Sequence, residues 1–333
     1  MKRPFFPLTL GLTFGWMVLA SPSLLAQQKT STATPPQPLV AVPGSHRAVL
    51  HVNPQAGLDQ NTGQTPNTAL KTLTRALELA AEGTTIQLIP GQYTAESGEV
   101  FPLRLKPGVI LRGEPSNRGQ GIVIRGGGVI ISPIFARQNV AIVAANNVEI
   151  VGVTITNPNI RGSGIWVEST APKIHHSTFT GNHREGIFVT GEGLPRIEDS
   201  LFQKNGGNGI SVTKSSRGEI RRNTFQQTGF GMAIGGSSAP LVVDNQILEN
   251  VDGIVITDMA RPVLRGNRIE RNRRDGVVAI SRAQPDLGTA DSPGKNVFTG
   301  NGNLDLYNAT RDQILIAVGN QLNTARINGQ VQQ

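Results

Sequence analysis

The chain has 333 residues, including 39 glycines and 21 prolines, and 16% of it is charged, whereas an ordinary domain is about 25% charged. It has no cysteine, which excludes disulfides, thiolate metal sites and a cysteine nucleophile. Thirty-one basic residues against 23 acidic ones give a net charge of +8, which favours an anionic partner, but no nucleic-acid-binding motif is present and nucleic acid is not expected.

The N-terminal residues carry a targeting pattern. Two basic residues, an apolar stretch over residues 8–20 and a small, polar run are typical of a secretory signal peptide, cleaved after Ala26 or alternatively after Ala20. Residues 27–47 are rich in Pro, Thr and Gln and predict a flexible linker. We therefore expect signal peptide 1–26, export to the periplasm or beyond the cell, and no transmembrane helix in the mature chain.

Residues 48–113 predict an N-terminal cap and the first turns of a larger β structure. A strand is predicted over 49–52, a polar loop over 53–67 and an amphipathic helix over 68–81, with Gly83 as its stop. The apolar face of this helix comprises Leu70, Leu73, Leu77 and Ala80. Further strand-like segments lie at residues 85–89, 109–112, 122–125, 140–144 and 148–155. A single helix before a series of strands suits a cap that covers an open core.

Residues 146–310 consist of regular repeats within the predicted β domain 48–333. A glycine followed by alternating apolar residues recurs every 22 or 23 residues. These glycines are Gly164, Gly186, Gly209, Gly231, Gly253 and Gly276. Such a period is typical of a solenoid, in which each repeat buries its apolar face only by stacking on its neighbours.

Equivalent residues of successive repeats form columns. Phenylalanines recur at 179, 202 and 225, and an asparagine usually follows three residues later. That polar column is Asn182, Asn205, Thr228, Asn250, Asn272 and Asn301. Two or three short strands per repeat, stacked about 4.8 Å apart, predict a single-stranded parallel β-helix with a hydrogen-bonded asparagine ladder.

These units, with Gly-Ile-x-Val and x-Asn-x-Phe patterns, resemble the right-handed parallel β-helix proteins of the pectin-lyase-like superfamily. The segments 52–54, 70–73, 85–93 and 108–113 are similar to an N-terminal module of unknown function in secreted bacterial β-helix proteins. The resemblance covers most of residues 48–310 and implies an all-β, right-handed coil of about 22 residues per rung. Its members include lyases, hydrolases, epimerases, binders and adhesins, but the catalytic strings of the lyase, polygalacturonase and epimerase families are absent here.

One outward column of the repeats is apolar and suggests a binding surface. Trp166 and Phe188 fall on adjacent rungs, where they would form an aromatic platform suited to stacking on sugar rings. The residues expected to contact a glycan are Trp166, Phe188, Glu168, Arg184 and Arg274. The alternative is that a loop, or a C-terminal strand over residues 314–318, covers this strip.

Four carboxylates are candidates for acid-base chemistry. Asp252 and Asp275 each precede a repeat glycine on successive rungs, which brings their backbones about 5 Å apart. Asp199 and Asp244 occur in another column, beside His176 and Arg222. Asp-Gly is also an ordinary turn dipeptide and charge alternation stabilises stacked turns, so structural roles are the simpler interpretation.

No metal or other cofactor is expected. The histidines lack zinc-ligand spacing, and Asn301, Asn303 and Asp305 only partly resemble a calcium loop, because the glycine and terminal glutamate are missing.

The favoured function is binding of a polysaccharide or cell-envelope glycan on an outer sheet face. The alternatives are a lyase, hydrolase or epimerase acting on acidic glycans, and a structural or adhesive protein. The sequence does not define an oligomeric state.

Overall fold

The computed structural model describes residues 48–333, which form a right-handed parallel β-helix of three sheets. Each rung of the coil adds one short strand to sheet A, then one to sheet B and one to sheet C, as the strand order in the three sheets shows. The fold class predicted from the repeat is confirmed. The predicted signal peptide and linker lie outside the described residues.

Almost all strand pairs are parallel and in register with the repeat. Sheet A comprises Val49–Val52, Thr85–Leu88, Ile110–Arg112, Glu149–Val151, Lys173–His175, Arg196–Glu198, Glu219–Arg221, Leu241–Val243 and Val263–Arg265. Sheet B comprises Gly91–Tyr93, Ile122–Arg125, Thr154–Thr156, Thr178–Thr180, Leu201–Gln203, Thr224–Gln226, Gln246–Leu248, Arg268–Glu270 and Val297–Thr299. Sheet C comprises Leu103–Arg104, Gly128–Ser132, Ala136–Val143, Gly162–Glu168, Ile187–Thr190, Ile210–Val212, Phe230–Ile234, Asp252–Ile256, Val277–Ser281, Leu306–Thr310 and Ile327–Asn328.

Single residues in the left-handed backbone region turn the chain from one sheet to the next. His176, Asp199 and Arg222, for example, have φ of 47°, 55° and 52° at the turn between sheets A and B. Along each strand, successive side chains point to opposite faces of the sheet, so that every second residue lies in the core. Inside the coil the phenylalanine column stacks, with ring centroids of Phe179, Phe202 and Phe225 separated by 4.6 and 4.7 Å.

The predicted asparagine ladder is present, and the structure adds a second one. In the first, Asn250 Nδ2 donates to Asn272 Oδ1 at 3.1 Å, and Asn272 Nδ2 donates to Asn301 Oδ1 at 3.0 Å. In the second, Asn223 and Asn245 donate in the same way to the next rung, at 3.2 and 3.0 Å. Both ladders are buried and supply hydrogen bonds to backbone N–H and C=O groups at the turns.

The N-terminal helix is shorter than predicted. It spans Leu73–Leu79, with Thr72 as N-cap, because Leu70 forms a parallel bridge with Val52 instead of a helical turn. The chain leaves the helix at Ala80, three residues before the expected Gly83. Leu73 and Leu77 are buried in the core, as a capping role requires.

Other predicted strands fall close to their expected positions, with local differences. The segment predicted at 148–155 is two strands, Glu149–Val151 and Thr154–Thr156, separated by Gly152 with φ +69°. The short 3₁₀ helices are Pro66–Thr68, Ala95–Ser97, Pro115–Asn117 and Thr324–Arg326. At the C-terminus Leu315–Ile316 pairs with Val331–Gln332. Within residues 48–333, no helix is long and apolar enough to cross a membrane.

Candidate functional site

The aromatic platform expected on the outer face of sheet C is formed. Trp166 and Phe188 are paired in register on adjacent strands, and their rings stack with centroids 4.5 Å apart and planes 3° apart. However, Trp166 is 1% exposed and Phe188 8% exposed. The expectation that these rings form an open binding surface is therefore wrong for this conformation.

A hairpin covers the platform. Gly128–Ser132 pairs antiparallel with Ala136–Val143, and Phe135 at its tip packs edge-on against both Trp166 and Phe188, at 6.2 and 5.3 Å between centroids. Ile130 of the hairpin joins the same apolar cluster. Of the two segments that the sequence suggested could cover the platform, the loop is the one that does so. The C-terminal strand Leu315–Ile316 pairs instead with Val331–Gln332.

Two further candidate binding residues hold the hairpin in place. Glu168 accepts a hydrogen bond from Trp166 Nε1 at 2.9 Å and another from Ser132 Oγ of the hairpin at 2.9 Å. Arg184 donates to Glu185 at 3.0 Å and to Gln138 of the hairpin at 3.4 Å. The polar groups around the platform therefore bond to protein, and their arrangement serves the attachment of the hairpin.

The carboxylates Asp252 and Asp275 occupy turn-stabilising positions. Asp252 is 2% exposed, forms an ion pair with Arg274 and accepts the backbone N–H of Asp275 at 3.1 Å. Asp275 in turn accepts the backbone N–H of Leu304 at 3.0 Å. Arg274, proposed from sequence as a binding residue, has its guanidinium on Asp252, and this contact raises the pKa of Arg274. The geometry fits a structural role for this set.

Asp199 and Asp244 lie at left-handed turn positions on the sheet A side. Arg222 donates to both oxygens of Asp199, at 2.8 and 2.7 Å, and this contact lowers the pKa of that carboxyl. Asp244 is exposed on the surface, two rungs further along the same column. Asp199 is thus one half of a charge-paired turn, whereas Asp244 makes no salt bridge among the described residues, and both lie away from the sheet that bears Trp166.

The potential metal ligands are also engaged. Asn301 Nδ2 donates to Asp305 Oδ1 at 2.9 Å, and Asp305 accepts the N–H of Asn323, so the calcium-like segment forms part of the internal ladder. His175 bonds to His176 at 2.9 Å and to Glu149 at 2.8 Å. Residues 48–333 contain no group of three or more His, Asp or Glu side chains arranged to hold an ion.

A groove that was not predicted from the sequence runs along the turns that follow sheet C. One part of it, with a volume of about 490 Å³, lies where the small residues Gly236 and Ser237 separate Lys214 from Met259 and Arg282. It continues into a second depression of about 400 Å³ lined by Arg282, Arg311, Asp312 and Gln313. From Lys214 to Arg311 the groove crosses four rung steps, about 19 Å at roughly 4.8 Å per rung.

The cations of this groove lack ionic partners. Among the described residues, Lys214, Arg282 and Arg311 make no salt bridge, whereas Arg196, Arg221 and Arg222 of the sheet A side all do. Asp258, which lies midway along the groove, accepts a hydrogen bond from the backbone N–H of Gly236 at 2.8 Å. The groove has one signal in the sequence, which is the column of residues at the turn after sheet C. On one rung this turn carries Gly236 and Ser237, which leave room between the longer side chains of Lys214 and Met259 on the neighbouring rungs.

Comparisons with known proteins support the fold. The structure is similar to that of pectate lyase Pel9A, with 12% sequence identity and a TM-score of 0.56 over 84% of this chain and 79% of that chain. It is similar to XylC in its complex with xylose, with 10% identity and a TM-score of 0.56 over 82% of this chain and 69% of that chain. A comparison with curated protein sequences finds no match.

A family profile with the description "Protein of unknown function (DUF1565)" matches residues 55–327, which include the N-terminal cap and the repeats. This agrees with the resemblance of the N-terminal segments to a module of unknown function. Since the match covers most of the sequence, the chain belongs to this DUF1565 family and has the pectin-lyase-like fold.

Proposed function

We propose that the protein binds an acidic polysaccharide lengthwise in the groove that runs from Lys214 to Arg311. The observation that carries this proposal is the alignment of three unpaired cations, Lys214, Arg282 and Arg311, along one groove parallel to the coil axis. Arginine matches carboxylate geometry with two parallel donors, and lysine adds a point charge.

The remaining groove residues suit a sugar chain. Ser215 and Ser237 offer hydroxyls on successive rungs, and Met259, 44% exposed, presents a flexible apolar surface to the face of a ring. Because the rungs repeat at a fixed interval, the groove offers similar contacts to successive units of a linear polymer. The fold is shared with a pectate lyase and with a protein bound to xylose, which adds a reason to test saccharides.

Titration calorimetry with polygalacturonate, alginate and neutral dextran tests the proposal. We expect the two acidic polymers to bind and dextran to bind far more weakly. Lys214→Ala and Arg282→Ala should each weaken binding about five- to tenfold, in line with about 1–1.4 kcal/mol for a charged contact. Lys204→Ala, which removes an exposed lysine from the turn between sheets B and C, is the matched control and should leave the affinity unchanged.

Equal binding of dextran, or equal losses in Lys204→Ala and Lys214→Ala, would show that the groove is not the site. Melting curves of each variant separate a loss of affinity from a loss of fold. Since the substituted groove side chains are exposed, we expect melting temperatures close to that of the unmodified protein.

We also infer that the protein is exported before it meets such a polymer. Support comes from the sequence alone, through the basic, apolar and small-residue regions that end near Ala26. N-terminal sequencing of protein recovered from a bacterial periplasm or culture medium should begin at Gln27, or at Ser21 for the alternative site. A product that retains Met1 would contradict this inference.

A further inference from the structure

The outer strand of the hairpin has a free edge. Gly128–Ser132 pairs with Ala136–Val143 on one side and with no other described strand. Alternate residues of a strand direct their backbone N–H and C=O groups away from the existing partner. Such an edge accepts an additional strand unless charges, proline or a bulge protect it.

The side chains at this edge do not protect it. Val129 is 42% exposed and Ile131 is 74% exposed, on the same side of the strand. Ile160, 80% exposed, lies next to Val129 across a shallow groove of about 260 Å³. Exposed β-branched residues on an open edge are the features by which an extended peptide is held, through main-chain bonds and alternate side-chain contacts.

The charge around the edge identifies the kind of partner. Arg137 lies opposite Ile131 in the hairpin register, and Arg161 lines the same groove as Val129. Within residues 48–333 neither arginine has a salt-bridge partner, in contrast to Arg184 beside them, which is paired with Glu185. A second copy of this chain would bring like charges to the interface, which disfavours association.

We propose that the edge Gly128–Ser132 binds an extended acidic segment of another protein by strand addition. The segment extends sheet C beyond the hairpin, its apolar side chains contact Val129 and Ile131, and its carboxylates pair with Arg137 and Arg161. This site is separate from the polysaccharide groove, and it would bring a protein partner to the side of the coil that bears the hairpin.

Two short peptides serve as probes, measured by fluorescence anisotropy with the full chain. In the Glu-Val peptide, Val and Glu alternate at every second position with Ser between them, so that both side chains lie on the face of the strand that meets Val129, Ile131 and Arg137. The Lys-Val peptide carries Lys in place of Glu. We expect the Glu-Val peptide to bind, while the Lys-Val peptide does not. Methylation of alternate backbone nitrogens of the Glu-Val peptide should abolish binding, because strand addition needs those N–H groups. Equal binding of the methylated or the Lys-Val peptide, or no binding of the Glu-Val peptide, would overturn the proposal.

Variants of the protein locate the site. Ile131→Asn should weaken Glu-Val binding about tenfold, the value of one well-packed apolar contact. Ile314→Asn, at an isoleucine 61% exposed near the C-terminus, is the matched control and should have no effect. Arg137→Gln should weaken binding, whereas Arg261→Gln should not. Equal effects in test and control variants, or a dimer of the unmodified protein that Ile131→Asn dissociates, would contradict the assignment.

Discussion

At the residue scale, the buried asparagine Asn272 of the first ladder uses its whole hydrogen-bonding capacity. Asn272 donates to Ile247 O at 3.1 Å and to Asn301 Oδ1 at 3.0 Å, while its own Oδ1 accepts both the backbone and side-chain N–H of Asn250. No water is required at these turns. The cost of losing one asparagine is therefore set by the buried donors and acceptors that it leaves without that partner.

We expect Asn272→Ala to lower the free energy of unfolding by about 2–4 kcal/mol, since it leaves several buried donors and acceptors unpaired. Urea denaturation followed by circular dichroism measures this loss. Asn303→Ala, at an exposed asparagine of the next rung, is the control and should change the stability by less than about 0.5 kcal/mol. Equal effects of the two substitutions would show that the ladder adds no stability.

A histidine on sheet A should make stability depend on pH. Burial lowers the pKa of His175, and Lys173 and His176 act in the same direction, although Glu149 opposes them. Asp199 lies near the same pair. The pKa of His175 in the folded chain is below its value of about 6.5 in the unfolded chain, so the unfolded chain takes up the proton first as the pH falls. The free energy of unfolding therefore decreases as the pH drops below about 6.5 toward the folded pKa.

Denaturation midpoints measured from pH 7.5 down to pH 5 should therefore decrease, and His175→Asn should reduce that decrease. His183→Asn, at an exposed histidine, should leave the pH profile unchanged. The loss of the Asp199–Arg222 pair occurs at lower pH, because the pKa of Asp199 is lowered by Arg222, so the two effects are separable. An unchanged profile in His175→Asn would refute this assignment.

At the element scale, the hairpin explains why an apolar column on the outside of a coil is buried. Phe135, Ile130 and Val140 surround Trp166 and Phe188 in one cluster that is separate from the main core. Lys214 extends over the outer side of Phe135, with Nζ 5.6 Å from the ring centroid. The hairpin tip thus lies between the aromatic platform and the beginning of the groove that runs from Lys214 to Arg311.

Phe135→Ala should expose Trp166 without unfolding the coil. We expect a red shift of the Trp166 emission and stronger acrylamide quenching. The loss in free energy of unfolding should be smaller than that of a fully buried Phe→Ala substitution, which is about 3–5 kcal/mol. Both proteins carry Trp16→Phe, so that Trp166 is the only tryptophan. Phe101→Ala, which alters an aromatic residue outside this cluster, is the control. Unchanged quenching in Phe135→Ala would mean that the tip does not cover the ring.

The same element marks the limit of prediction from the sequence. Features that recur along the repeats, such as the Asn272 and Phe202 columns and the outward direction of Trp166, were predictable because six repeats carry equivalent residues at the same position. The hairpin occurs once, before the regular repeats, so no periodicity signals where Phe135 packs. Likewise, the helix was predicted too long because Leu70 fits a helical face as well as the strand bridge that it forms with Val52.

At the scale of the whole molecule, the excess positive charge is unevenly distributed. On the sheet A side, Arg196, Arg221 and Arg222 pair with Glu198, Glu219 and Asp199, so that face is largely neutralised. The groove after sheet C keeps its cations unpaired. The groove therefore presents cations without ionic partners where the proposed anionic polymer would lie, and the rungs of the coil fix their spacing.

Salt should consequently affect binding far more than stability. Raising the ionic strength from about 0.05 to 0.5 M shortens the screening length severalfold, and we expect the affinity for polygalacturonate to fall at least about tenfold. The melting temperature should change by only a few degrees, since exposed ion pairs contribute about 0–1 kcal/mol each. Calorimetry and thermal melts at the same salt concentrations measure the two quantities. An affinity that is independent of salt would indicate recognition through uncharged contacts and would place the polymer away from Lys214, Arg282 and Arg311.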